Sequence, residues 1–238
     1  MKPDAGSFNG FSKNLFGFLT DLEKNNSVEW FHDNKERYRK FLVEPAKAFI
    51  NDLAPFLNQI NPAIRSEPKF NQTIMRLNKD MRFVKGDPYR AFLLLHFGRF
   101  KLDSEFFLYF EPDDYEIGLF INNGKEENLY FKKNVTKFKK EIISIFSKNK
   151  LNDRLSMYEL NNEATPLIKK FNAEKHYDKL IETGMIILHM NNKPSLKTVY
   201  SSEIVPEMMK MITMLYPLYC FAISSQPLKE LQKFEDNL

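Results

Sequence analysis

The spacing of hydrophobic residues changes twice along this chain, and these changes constrain the fold more than any other feature. Over residues 11–60 apolar side chains recur every three to four positions, which predicts helices. Over residues 73–121 the period falls to two, which predicts strands, and helical spacing returns within residues 128–222. This order predicts an α+β fold with a central, mostly antiparallel sheet packed between N-terminal and C-terminal helices. We expect a single domain over residues 1–238, ending in a polar tail at residues 224–238.

The first predicted strand has one apolar and one polar face. Its apolar positions are Met75, Leu77, Met81 and Phe83, and its polar positions are Arg76, Asn78, Asp80 and Arg82. A turn is expected at residues 86–88, followed by a central strand at 91–97 and a hairpin at 106–121. Further along we expect short helices at 150–180, a strand at 185–190 and a long helix at 203–220.

Composition and charge restrict the class of protein. Hydrophobic residues make up 43% of the chain and charged residues 28%, as in ordinary globular proteins. The net charge of +4 is too small to mark a dedicated nucleic-acid-binding protein. The single cysteine, Cys220, excludes an intrachain disulfide, and with four scattered histidines we expect no metal site.

Neither a targeting segment nor a membrane span is expected from the sequence. The short, polar N-terminus is unlike a signal peptide. The longest apolar stretch, residues 208–223, contains Lys210 and Pro217 and is shorter than the roughly 18 to 20 apolar residues of a span. We therefore expect a cytoplasmic protein with no membrane partner.

Motifs of several large enzyme classes are missing from the sequence. It contains no G-x-G-x-x-G, no G-x-x-x-x-G-K-[ST] and no G-x-S-x-G pattern. Nucleotide-dependent dehydrogenases, P-loop enzymes and α/β-hydrolases are therefore disfavoured, and we expect no cofactor. Whether any reaction is catalysed stays open at this point, and so does the oligomeric state.

The placement of arginine is the strongest indication of a binding site. Five of the eight arginines lie within 35 residues of a chain that otherwise uses lysine: Arg65, Arg76, Arg82, Arg90 and Arg99. A guanidinium binds a carboxylate or phosphate through two parallel hydrogen bonds, which the lysine ammonium cannot do. The sequence therefore predicts that a small anionic ligand binds at the arginine-rich strand and the turn after it.

The residues of this predicted site follow from the strand and turn. Its ligand-binding residues are Arg76, Arg82, Lys85, Tyr89 and Arg90. Tyr89 and His96, which lies on the next strand, are the nearest candidates for proton transfer. Ordinary ion pairing is the alternative, because eight acidic residues follow between Asp103 and Glu127 and could pair with the arginines across the sheet. His96 has an alternative role as a hydrogen-bonded histidine of the interior.

A second functional hypothesis starts from the lysine-rich helix predicted at residues 131–148. Its lysines could bind nucleic-acid phosphates or a protein surface, which would make the chain a non-catalytic interaction module. They are Lys132, Lys133, Lys137, Lys139 and Lys140. Nucleic acid is the less favoured partner because the net charge of the chain is only +4. The simpler interpretation of these lysines is a solvent-exposed helix face.

Two blocks of residues resemble a known family. The first block contains Phe18-Leu19, Leu22, Asn25-Asn26, Trp30-Phe31, Lys35, Tyr38, Pro45 and Phe49. The second contains Arg76, Asp80-Met81-Arg82-Phe83, Lys85 and Pro88-Tyr89. Together they resemble the conserved hypothetical proteins grouped as domain of unknown function 2461. The resemblance implies a cytosolic protein of bacteria or fungi with no assigned activity and no established catalytic residues, and it indicates residues 76–89 as the place to look for a site.

Overall fold

The protein is described by a computed structural model covering residues 7–82, 85–124 and 126–237. Phe83 of the predicted strand and Leu238 of the predicted tail lie outside the described residues. The predicted α+β fold is confirmed: helices precede and follow a six-stranded sheet in which all paired neighbours are antiparallel. The order of the strands in the sheet is β1-β2-β3-β6-β4-β5.

The N-terminal helices are α1 Lys13–Lys24, α2 Val28–Asp33, α3 Lys35–Tyr38 and α4 Glu44–Ile60, with a π-helical turn Arg39–Val43 before α4. The strands are β1 Leu93–Phe97, β2 Glu105–Phe110, β3 Tyr115–Asn122, β4 Leu155–Leu160, β5 Ala164–Ile168 and β6 Met185–Met190. The remaining helices are α5 Phe131–Lys137, α6 Lys139–Lys148, α7 Ala173–Glu182, α8 Leu196–Val199, α9 Ile204–Ile223 and α10 Pro227–Asn237. No helix in these described ranges combines the length and the apolar character needed to cross a membrane.

The two faces of the sheet have different surroundings. Side chains alternate between the faces because the strand period is two, and one set joins the hydrophobic core with α9 packed across β3. The N-terminal segment reaches the same core through Phe11, whose ring centroid lies 4.6 Å from that of Phe110. The opposite face is partly exposed. Phe107 lies on this second face, outside the main core. It is nevertheless only 6% exposed, because its neighbours on this face cover it.

The predicted strand at residues 75–83 is wrong in its detail. Regular pairing is limited to isolated bridges at Ile74 and Asn78, and residues 73–75 run beside β1, where the Met75 N–H donates to the Leu94 carbonyl at 3.0 Å. The Asp80 side chain accepts the Arg82 N–H at 3.2 Å. This local turn competes with strand pairing, and Met81 is left exposed rather than buried.

Three further expectations also differ from the structure. β1, predicted as a central strand, is the first in the order of the sheet. The stretch 150–180, predicted to be short helices, forms β4 and β5 before α7, because Leu155 and Met157 alternate with half-exposed residues and pair with β6. The tail expected at 224–238 contains helix α10, which begins at Pro227 and buries Phe234. The strand predicted at 185–190 is confirmed as β6.

Candidate functional site

The predicted anion site lies on a loop that the structure closes at its base. Residues 76–90, called the basic loop below, fold back on themselves through backbone hydrogen bonds. The Lys79 N–H donates to the Pro88 carbonyl at 2.8 Å, and the Arg90 N–H donates to the Leu77 carbonyl at 2.7 Å. The two ends of the loop are therefore fixed to each other.

The basic loop is attached to the N-terminal helices at Tyr89. The Asn26 side chain donates to the Tyr89 carbonyl and accepts from the Tyr89 N–H, at 2.9 and 3.0 Å. The Tyr89 ring also stacks on Phe31, with centroids 4.1 Å apart and ring planes inclined by 15°. The two sequence blocks that carry the family resemblance therefore meet in space, although they are far apart along the chain.

Two arginines of the predicted site are engaged within the loop. The Arg82 guanidinium binds Asp80 through Nε and Nη2, at 2.9 and 2.7 Å, although the Arg82 side chain is 81% exposed. Hydrogen bonds from Arg82 lower the pKa of Asp80. Arg90 Nη1 donates to the carbonyls of Asn78 and Arg76, at 2.8 and 3.3 Å. Both side chains therefore help to shape the loop.

The remaining charge of the loop is not balanced by carboxylates. The loop contains five cations and two carboxylates, a net charge of +3. Among the residues that the structure describes, four loop cations form no ion pair: Arg76, Lys79, Lys85 and Arg90. Burial raises the pKa of Tyr38 to about 12, against the opposing effect of the nearby charge of Arg76. The Tyr38 hydroxyl therefore stays protonated at neutral pH, beside an exposed guanidinium.

His96 belongs to a different cluster. Its Nδ1 lies 2.8 Å from Oε2 of Glu105, and Oε1 of the same carboxylate accepts from Arg65 Nη2 at 2.7 Å. The three side chains are 13 to 17% exposed. Arg99 forms a similar pair with Asp103, at 2.8 Å. Arg65 and Arg99 thus form the ion pairs that were the alternative interpretation. The hydrogen bonds of His96 join it to Glu105 and to the Thr73 carbonyl rather than to the basic loop.

The lysine-rich stretch forms two helices, α5 and α6, and several of its lysines contact the protein itself. Lys132 Nζ donates to the Ile181 carbonyl at 2.5 Å. Lys137 and Lys139 lie over the rings of Phe138 and Tyr177, about 5 Å from the centroids. A groove of about 590 Å³ between α6, α9 and α10 has Glu141 and Glu235 in its wall as well as Lys140 and Lys148. The two carboxylates offset part of the positive charge, and the contacts of Lys132, Lys137 and Lys139 hold these side chains against the protein.

A cavity that the sequence interpretation missed lies on the partly exposed face of the sheet. Its volume is about 210 Å³, and it is lined by Glu116, Ser156, Tyr158, His189, Met190, Asn191 and Lys193. Residues 150–180 were expected to be helical, so β4 could not be placed beside β6. The signal that could have found the site is the period-two pattern of residues 155–158, which puts Ser156 and Tyr158 on one face.

Charged and aromatic groups fix the geometry of this cavity. Lys193 Nζ donates to Glu116 Oε1 at 3.0 Å and to Asp114 Oδ2 at 2.7 Å. The His189 ring stacks on Tyr158, with centroids 4.6 Å apart, and its Nδ1 lies 3.6 Å from Glu116 Oε2. Burial and the charge of Lys193 lower the pKa of His189 to about 4. Burial also raises the pKa of Glu116, against the effect of Lys193. Among the described residues, no cluster of three or more His, Cys, Asp or Glu side chains is arranged to hold a metal ion.

Comparison with protein families gives one match. The family model described as "Conserved hypothetical protein (DUF2461)" matches residues 14–221. The matched range contains both resemblance blocks, the whole sheet and most of α9. No curated protein and no solved structure gives a significant match.

Proposed function

We propose, from the premise that this chain belongs to the DUF2461 family of conserved hypothetical proteins, that its basic loop binds a small ligand carrying a phosphate or carboxylate. The observation that carries the proposal is the group of loop cations without carboxylate partners among the described residues. They lie where the second family block is attached to the first through Asn26, Phe31 and Tyr89.

The roles of the residues follow from their contacts. Arg76 offers a planar donor group to two oxygens of the anion. The protonated Tyr38 hydroxyl is a further hydrogen-bond donor on the same side. Lys85 adds an exposed positive charge, whereas Arg82 and Arg90 keep the loop in shape through Asp80 and the loop carbonyls. The proposal concerns binding, and no reaction is assigned to the loop.

A thermal-shift comparison of two arginine variants tests the proposal. Inorganic phosphate, pyrophosphate, citrate and adenosine monophosphate would be added to the wild-type protein, Arg76→Gln and Arg154→Gln. Arg154 is exposed and distant in sequence from the loop, so it controls for loss of one surface charge. A ligand that binds only the folded protein raises Tm. At a ligand concentration of a hundred times its Kd, it adds about 2.7 kcal/mol to the free energy of unfolding.

The expected result is a rise in Tm for at least one anion, kept in Arg154→Gln and lost in Arg76→Gln. The affinity should also fall as salt is added, because the interaction is between exposed charges. An equal rise in both variants, or no rise with any anion, would overturn the assignment. A short single-stranded oligonucleotide in the same screen tests the interaction-module alternative: a shift with the oligonucleotide that survives Arg76→Gln would favour that alternative.

A further inference from the structure

The cavity on the partly exposed face is built by three neighbouring strands. The register pairs Gly118 of β3 with His189 of β6, and His189 with Ser156 of β4. Glu116 lies two residues before Gly118 on β3, and Tyr158 lies two residues after Ser156 on β4, so both share this face. Strand pairing therefore brings together residues that are far apart in the sequence, and Asn191 and Lys193, just after β6, complete the lining.

Aromatic rings hold the His189 side chain from two directions. Tyr158 stacks on the imidazole at an interplanar angle of 28°, and the Phe107 ring meets it edge-on with centroids 5.5 Å apart. Phe107 can approach because Gly118 has no side chain: a Cβ there would lie 3.0 Å from the Phe107 ring and 1.9 Å from the Leu188 carbonyl oxygen. With its pKa lowered to about 4, the imidazole is neutral at pH 7 and has one donor and one acceptor nitrogen.

The charges of the cavity wall balance each other. Glu116 and Lys193 are the charged residues of its lining, and they are bonded to one another at 3.0 Å. Lys193 also donates to Asp114 and to the Tyr115 carbonyl, so its three donor positions are occupied by protein acceptors. Asp114, bonded to Lys193, adds negative charge next to the lining. Among the described residues that line the cavity, no cation is left available to an anion, which separates this site from the basic loop.

We propose that this cavity binds a small uncharged polyhydroxyl compound, such as a single sugar ring or a cyclic polyol. Each hydroxyl group both donates and accepts, and the wall offers both functions through the Tyr158 hydroxyl and the neutral His189. Ser156 and Asn191 bond to each other and to the Lys169 carbonyl, so they shape the wall rather than supply free donors. The amphipathic Tyr158 ring provides apolar surface for the C–H groups of the ligand. The volume of about 210 Å³ corresponds to about seven water molecules at about 30 Å³ each, enough for one ring and too little for a polymer.

Saturation-transfer NMR on the whole protein can test this inference. The probes are D-glucose, D-ribose and myo-inositol, together with two charged relatives of glucose, gluconate and glucosamine. We expect at least one uncharged probe to bind, and we expect the charged relatives to bind about tenfold more weakly or not at all. Gluconate or glucosamine binding more tightly than every uncharged probe would overturn the proposal, and so would the absence of a signal with all uncharged probes.

Variants then place the binding in the cavity. Ser156→Leu fills the cavity and should abolish the signal, whereas Thr165→Leu, at an exposed position of the neighbouring β5, should keep it. If Ser156→Leu does not fold, Tyr158→Phe removes only a hydroxyl and should weaken binding by about tenfold. A signal that persists in Ser156→Leu, or one unchanged in Tyr158→Phe, would overturn the proposal. Binding of the uncharged probe should be unchanged in Arg76→Gln, so this inference and the anion proposal can fail independently.

Discussion

The side-chain amide of Asn26 binds both the N–H and the carbonyl of Tyr89, which is 63 residues further along the chain. The amide therefore replaces the backbone partner that an adjacent strand would supply at Tyr89. Together with the stacking of Phe31 on Tyr89, this contact fixes one side of the basic loop to the N-terminal helices. The geometry of the proposed anion site depends on it.

We expect Asn26→Ala to lower the free energy of unfolding by about 1 to 3 kcal/mol, because two part-buried backbone groups of Tyr89 lose their partners. The neighbouring Asn25→Ala is the control. Asn25 is exposed, and among the described residues its side chain bonds to the Asp21 carbonyl alone, so the effect there should be smaller. Urea denaturation measures both values. Equal destabilisation by the two substitutions would mean that Asn26 does not anchor the loop.

Two glycine substitutions should have opposite effects on stability. In Gly118→Ala the new Cβ would lie 1.9 Å from the backbone oxygen of Leu188, so β3 and β6 must move apart. We expect a loss of about 1 to 3 kcal/mol, as for other overpacked sites. Gly17→Ala lies in α1 with open space around the new methyl group and should stabilise the protein by about 0.5 to 1 kcal/mol. Calorimetry measures the change in Tm for each variant. Changes of the same sign in both would contradict this account of Gly118.

The cluster of Arg65, Glu105 and His96 should contribute to stability rather than to binding. Glu105→Ala leaves the largely buried Arg65 guanidinium without its carboxylate, and we expect a loss of about 3 kcal/mol. Glu182→Ala breaks an exposed pair with Lys179 and should change the free energy of unfolding by less than about 1 kcal/mol. Guanidinium denaturation of the two variants makes the comparison. Similar small effects would show that the buried cluster is dispensable.

The stability of the protein should depend on pH through His189. Its pKa of about 4 in the folded protein lies below the ordinary value of 6.5, so the unfolded chain binds the proton more tightly. The free energy of unfolding should therefore fall as the pH decreases from about 6.5 to about 4, by up to about 3 kcal/mol from this group. Glu116 has a raised pKa and acts in the opposite direction, so a difference measurement is needed.

His189→Gln provides that difference measurement. The variant has no imidazole to protonate, and its stability should fall less than that of the wild type over the same pH range. Denaturation curves collected at several pH values give the difference, and NMR titration of the imidazole gives the pKa directly. Parallel pH profiles for the two proteins would contradict the assignment of a buried, neutral His189 beside Glu116 and Lys193.

Local patterns in the sequence predict some elements of this fold and not others. The helical stripes around Leu15 and Phe49, the hairpin of β2 and β3 and the compact run at β6 are each visible in a short window. The Asp80 side chain, however, forms a turn that the alternation of residues 75–82 does not reveal. β4 was missed because its partner, β6, comes some thirty residues later, and a short period-two pattern does not show that pairing.

The same limit applies to the candidate sites. The arginine cluster could be recognised from residue types. Its division depends on which segments become neighbours: Arg65 and Arg99 pair with acidic residues, whereas Arg76 forms no ion pair within the described part of the chain. The cavity around His189 depends on the register of three strands, which no single segment encodes. Residue types therefore identified the cationic character of the basic loop, whereas tertiary structure was needed to find the cavity.

The two outer strands of the sheet limit how copies of this protein can associate. On the outer side of β1, residues 73–75 already bond to the strand. The Met75 N–H donates to the Leu94 carbonyl, and the His96 N–H donates to the Thr73 carbonyl. At the other end, Pro166 interrupts β5 and has no N–H to offer. Neither edge offers an uninterrupted row of donors and acceptors for another chain to extend. Aggregation by strand addition at β1 would first require residues 73–75 to detach, so substitutions that loosen this segment should make the protein prone to aggregation before they unfold it.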